Sequence, residues 1–180
     1  MKTRVVALLR GVNVGRSNRM AMAELRELLT DLGYTDVKTY LQSGNAVFTA
    51  SASAAETAAA DIEHALARTL GIRCTVVTRT AADLAAVVAN APMLDRMTDP
   101  AKYLVGFLNG DPDPDGARAV ASLDVSPDQV GLIGREIYLW CPAGVRASPL
   151  SAVPWDRRLG AAVTMRNWKT VTALLALSGE

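Results

Sequence analysis

The stretch RVVALLRGVNVGRSNR, residues Arg4–Arg19, decides how the rest of the chain is read. Its first part, Arg4–Leu9, is an apolar, β-branched run with the composition of a buried strand. Its second part is a polar loop holding three arginines, two asparagines and two glycines, and Arg10–Arg19 contains no acid to cancel the charge. Glycine admits a backbone with positive φ, and such a turn can aim successive N–H groups into one concavity. Arginine adds a planar fork of donors suited to phosphate or carboxylate. A strand that runs into such a loop, with a helix starting next, is an opening that places an anion-binding site at the strand's end.

Working outward, Met22, Leu25, Leu28, Leu29 and Leu32 recur at helical spacing, and Gly33 suits a helix C-terminus. Asp36–Leu41 and Ala46–Ala50 read as strands joined by the turn cluster Gln42-Ser43-Gly44-Asn45. Ser53 with Glu56 resembles a capping box opening a helix to about Leu70, where Gly71 stops it. Arg73–Thr78 alternates as a strand, and Thr80 with Asp83 caps a helix that stops before Pro92. The order β-α-β-β-α-β is that of a ferredoxin-like split βαβ unit. Pro92 and Pro100 bracket a connector, which divides the chain into a ferredoxin-like subdomain over 1–92 and a smaller α+β subdomain over 93–180. In the latter, Lys102–Leu108 reads as a strand, Asp111–Asp115 as a loop and Gly116–Ser122 as a short helix. Gln129–Ile133 and Glu136–Trp140 form a hairpin turning at Gly134-Arg135, and Pro149–Leu159 and Met165–Leu177 close the chain as two helices. No repeat is visible residue by residue, although the halves share a coarse strand–helix–strand–strand order.

Four motifs in order carry a family resemblance: Leu8–Gly15, Met22-Ala23-Glu24-Leu25, Tyr40–Asn45 and Thr164-Met165-Arg166-Asn167-Trp168. Together they resemble the bacterial domain-of-unknown-function family sixteen ninety-seven across nearly the whole chain. The resemblance implies two α+β subdomains, the first ferredoxin-like, and brings no activity with it. This chain has Arg16 where members often have a third glycine after Gly15, which adds charge to the loop.

The global balance excludes several classes. The chain has 180 residues, half of them hydrophobic, and a net charge of +1, so any basic footprint must be local. Cys74 and Cys141 form no CxxC pair, which argues against a disulfide framework, and with His64 as the one histidine no metal site is expected. Val5–Leu9 is too short for a signal-peptide core, and no stretch approaches the roughly 18 apolar residues of a membrane span, so a soluble cytoplasmic protein with no membrane partner is expected.

Strands one and two run parallel in this topology, so the loops that follow them share one edge of the sheet. Arg10, Gly11, Asn13, Gly15, Arg16, Gln42, Ser43 and Asn45 are therefore expected to make a polar cleft, unless Gly and Asn serve only to form the turns. Thr164, Arg166 and Asn167 are expected to open the last helix, whose free N–H groups also suit an anion. Thr164 alone could simply be the N-cap, and Arg166, unfavourable for the helix dipole, faces either a ligand or an acid of the other subdomain. Asp111–Gly116 matches the first half of a calcium loop, but Ser122 stands where the closing Glu is needed. Ser43 lacks the context of a nucleophile elbow. No cofactor is called for and no catalytic residue stands out. The expected function is binding of a phosphate-bearing ligand, a nucleotide-like metabolite or a short nucleic acid. The rivals are a small-molecule enzyme without a visible nucleophile and a structural protein whose motifs lock the subdomains together. RNA-recognition modules stack bases on sheet aromatics, and here strand one has none and strand three only Phe48.

Overall fold

The computed structural model describes residues 1–179. The chain is α+β and forms two compact units, one of Met1–Ala86 with the chain end from Ala173, the other of Val87–Thr172.

In the first unit the elements are β1 (Lys2–Leu9), α1 (Met22–Asp31), β2 (Thr35–Thr39), β3 (Asn45–Ser51), α2 (Ala52–Leu70) and β4 (Val76–Thr80), followed by α3 (Ala81–Ala89). The sheet order is β2-β3-β1-β4 with every neighbouring pair antiparallel, which is the ferredoxin-like arrangement. Because β1 and β2 are both antiparallel to β3, their C-terminal ends lie at one edge. β4 is antiparallel to β1, so it begins at that edge, with Leu9 opposite Val76.

Alternation along β1 sends Val5, Ala7 and Leu9 into a core with Leu25 and Leu29 of α1, Ile62 and Leu66 of α2, and Phe48. Tyr34 stacks on Phe48 with centroids 4.3 Å apart. Val6, Leu8 and Val47, on the opposite face, are buried too. Helix α2 is capped by Ser51, whose hydroxyl accepts from Ala54 N at 3.2 Å, rather than by Ser53 with Glu56. β3 passes into the helix at once, so the last strand residue becomes the cap. Thr80 and Asp83 do form the expected reciprocal pair at 3.0 Å each way.

The second unit holds β5 (Tyr103–Leu108), α4 (Pro114–Ala121), β6 (Gln129–Ile133), β7 (Glu136–Trp140), α5 (Trp155–Leu159) and β8 (Val163–Asn167), followed by α6 (Trp168–Ser178). Its sheet order, β6-β7-β5-β8, is the order of the first unit repeated. The match extends to individual backbone hydrogen bonds at the strand ends. Leu9 N donates to Gly44 O and Arg10 N to Thr75 O, at 2.8 and 2.9 Å. Leu108 N donates to Arg135 O and Asn109 N to Ala162 O, at 2.9 and 3.0 Å. The chain is one βαββαβα scheme used twice.

Two expectations are corrected here. Met165–Leu177 is not one helix: Val163–Asn167 is strand β8, paired with β5 from Leu104↔Asn167 to Leu108↔Val163, and the helix begins at Trp168. The apolar helical stripe of Trp168, Val171 and Leu174 extrapolates backwards, whereas the ladder to β5 overrides the weak β-propensity of Met, Arg and Asn. Pro149–Leu159 is a 3-10 turn, Pro149–Ala152, and the short α5, separated by Pro154. The unit division also differs from a break at residue 92. It falls inside α3 and α6, and Arg4 of β1 donates from Nη2 to Leu177 O at 3.4 Å, tying the chain end to the first sheet.

Candidate functional site

Three segments meet at the strand-end edge of the first unit: Arg10–Ala21 after β1, Tyr40–Gly44 after β2, and Gly71–Thr75 before β4. Each is held by the hydrogen bonds that end the strands, since Leu9 N binds Gly44 O and Arg10 N binds Thr75 O. The long loop is pinned to the core near both ends by buried Val12 and Met20. Between them it folds into a small hairpin arm, in which Val14 and Ser17 form a bridge and Asn13 N donates to Asn18 O at 3.0 Å. Gly15 and Arg16 make the tip, and Val14, Gly15, Arg16 and Ser17 are all exposed.

Asn13 organises the arm. Its Nδ2 donates to Met20 O at 2.9 Å and to Gln42 O at 2.7 Å, while its Oδ1 accepts from Met20 N at 2.8 Å. One side chain thus closes the first loop and fastens it to the second. The arrangement places Asn13 at φ 54°, a left-handed conformation that Asn tolerates better than most side chains. Asn45 does similar work in the second loop: fully buried, it donates to Tyr40 O at 2.8 Å and to Ser43 Oγ at 3.0 Å. Gly44 is required where the loops touch. It has φ 82°, and a Cβ there would run into the Val12 side chain and lie 2.8 Å from Leu9 Cβ.

The expected cleft residues therefore divide into two sets. Asn13 and Asn45 build the loops, together with Gly44, which was not among the expected residues, whereas Arg10, Gly11, Gly15, Arg16, Gln42 and Ser43 stand on their exposed side. An open recess of about 600 Å³ is lined by Arg10, Gly11, Arg73, Cys74 and Thr75. The exposed cations of the three segments are Arg10, Arg16, Arg19 and Arg73, and the segments contain no Asp or Glu. Arg73 and Arg19 were absent from the expected site. The signal for Arg73 was topological, because the residues entering β4 must lie beside those leaving β1.

Cys74 lines the recess with its thiol held protonated at neutral pH. Burial, helped by the charge of Glu63, pushes its thiol up to about 11. Glu63 is itself engaged, accepting from Val76 N at 2.7 Å.

Thr164, Arg166 and Asn167 lie in the second unit. Thr164 does not cap a helix: it sits within β8 opposite Phe107, and its buried hydroxyl has no hydrogen-bond partner among the described residues. The N-cap of α6 is Asn167, whose Oδ1 accepts from Thr170 N at 2.9 Å. Arg166 donates from Nη1 to Met165 O at 2.9 Å, and burial lowers its guanidinium to about 10, which leaves it charged at neutral pH. Arg79 occupies the same place in the first unit, one residue before the capping Thr80, and donates to Thr78 O at 2.8 Å. In the Asp111–Asp115 loop, Asp113 caps α4 by accepting from Gly116 N at 2.8 Å, and Asp115 pairs with Arg118.

No helix among the described residues is long and apolar enough to cross a membrane. The profile of a family described as "Protein of unknown function (DUF1697)" matches residues 1–138. Among solved structures, the conserved bacterial protein SP0830 from Streptococcus pneumoniae is similar, at 28% identity and a TM-score of 0.78, with 99% of each chain covered. No curated protein matches the sequence.

Proposed function

The chain belongs to the DUF1697 family, and for it we propose a binding role: the strand-end edge of the first unit holds a phosphate-bearing ligand, a nucleotide-like metabolite or a short nucleic acid. The observation that carries this is the convergence of three acid-free segments with four exposed arginines on loops stitched by Asn13, Asn45 and Gly44. Arginine forks match phosphate oxygens two at a time, and loops held this firmly present them with little ordering left to do on binding. Gly11 and Gly15, both exposed residues at positive φ, let the loop turn so that backbone donors can join the arginines.

The test is a thermal-shift screen of the whole protein against nucleotides, phosphorylated metabolites and oligonucleotides. A ligand at a hundred times its dissociation constant adds about 2.7 kcal/mol to stability, a shift that such a screen resolves. Arg16→Ala and Arg73→Ala should each weaken that ligand roughly tenfold to a hundredfold, as expected for one charge-assisted hydrogen bond. Their own melting should stay within about 0.5 kcal/mol of the parent, because both side chains are exposed. A parent protein whose midpoint no anion moves, or variants that bind as the parent does, would defeat the proposal.

A further inference from the structure

Resting on that phosphate-binding reading, we infer that the ligand is single-stranded nucleic acid, laid across the loop tips of the first unit rather than enclosed as a free nucleotide. The charge is spread, not focused. Arg10 and Arg73 line the recess, but Arg16 is carried out to the tip of the hairpin arm and Arg19 stands on its returning limb. Sites for small ligands bury most of the ligand surface in a cleft, and an open recess lined by five residues offers no such enclosure. A polymer gains from arginines placed in series, because each one neutralises a different phosphate.

A second observation concerns apolar surface. The first unit exposes two aliphatic side chains at this edge, Val14 at 67% and Leu41 at 55%. One stands on the arm and the other on the adjoining loop. Leu41 is held at φ 57°, a conformation that opposes a bulky side chain. Strain that displays an apolar group to water is a feature of recognition surfaces. Unpaired bases offer flat apolar faces to such groups, and arginine, the sole cation in the three segments, stacks on the same faces. The face of the sheet cannot serve as the base platform, since Val6, Leu8 and Val47 are buried along with the helix-facing residues.

The experiment is fluorescence anisotropy of the whole protein with a labelled twelve-nucleotide oligothymidylate. Unlabelled ATP, a duplex of the same length and polyglutamate serve as competitors. With Arg16, Arg19 and Arg73 each meeting one phosphate, affinity should fall about twentyfold between 50 and 200 mM salt, and Arg16→Ala should lower the log–log slope by about 0.7. Val14→Ser with Leu41→Ser should weaken the oligonucleotide about fivefold or more, through lost apolar contact. Ile133→Ser, at an exposed aliphatic of the second unit, should change nothing. ATP competing as well as the oligonucleotide, with the Val14/Leu41 variant unaffected, would overturn the single-strand inference and leave phosphate binding standing. Equal displacement by the duplex or by polyglutamate would overturn the ligand class. If neither the oligonucleotide nor ATP binds, the single-strand inference falls, and the thermal-shift screen decides the phosphate reading separately.

Discussion

Asn13→Ala removes a staple without removing a charge, and it separates loop architecture from electrostatics. The side chain makes three hydrogen bonds, to Met20 O, Met20 N and Gln42 O. Each contributes about 0.5–1.5 kcal/mol net, and the lower half of that range applies where water can replace a lost partner, giving about 1.5–3 kcal/mol together. Alanine at φ 54° adds about 1 kcal/mol of backbone strain. The total, about 2.5–4 kcal/mol, is large for a residue that is only partly buried, and urea unfolding followed by circular dichroism will read it. Asn13→Gly loses the same hydrogen bonds without incurring the strain. After allowance for glycine's greater unfolded-state entropy, about 0.4–1 kcal/mol against about 1 kcal/mol of strain, it should match the alanine variant or exceed its stability by up to about 0.6 kcal/mol. Amide exchange at Met20 and at residue 13 itself, whose N–H donates to Asn18 O, should accelerate in both, and the affinity for a phosphate ligand should fall although every arginine remains. An Asn13→Ala protein within about 0.5 kcal/mol of the parent, or one less protected nowhere in the loop, would refute the assignment of Asn13 as the staple.

Gly44→Ala combines a positive φ with a collision against Val12 and Leu9, so it should destabilise by about 2–5 kcal/mol in chemical unfolding. Thr164→Val deletes a buried hydroxyl that has no partner and should raise stability by about 1 kcal/mol in the same assay; a loss would mean that the hydroxyl is satisfied after all. Cys74 should alkylate about a hundredfold more slowly at neutral pH than an ordinary thiol of pKa 9, because its thiol titrates near 11. The native state keeps that proton after the unfolded chain has lost it. The associated stability is therefore complete below pH 9 and declines between pH 9 and 11, which titration of the unfolding midpoint in the parent and in Cys74→Ala will show.

The first unit was legible because local signals and topology agreed. The apolar run before Arg10, the leucine spacing of α1 and the glycine stop after Leu70 each mark an element, and their order admits few folds. Knowing that β1 and β2 run parallel was enough to bring the Arg10 and Gln42 loops together. What the sequence hid was which polar residues build and which present. Asn13 and Asn45 have the composition of ligand contacts, yet their amides close the loops, because positive φ and unpaired carbonyls in tight turns need a short side-chain partner. The second unit was harder to read for a different reason. Val163–Asn167 carries no strand pattern of its own and becomes a strand by pairing with β5, a contact between distant parts of the chain that local reading cannot register.

The repeated βαββαβα scheme supplies an internal control for the loop after β1. Arg10 and Asn109 occupy equivalent places, each donating to the residue before the last strand of its sheet. After Asn109 the second unit reaches its helix by residues 109–113, with Asp113 as the cap. After Arg10 the first unit takes residues 10–21, raises a hairpin arm and holds Asn13 and Asn18 at positive φ to do so. The shorter connection completes the same sheet order, so the topology does not require the arm. Its arginines and its exposed Val14 are additions to the scheme, and they fall on one of two equivalent edges. In the second unit the matching loop carries Asp111 and Asp113 instead, which would repel a phosphate. One scaffold with two loop chemistries thus confines the proposed anion site to one edge per chain, and ties it to the long loop rather than to the fold shared with the other half.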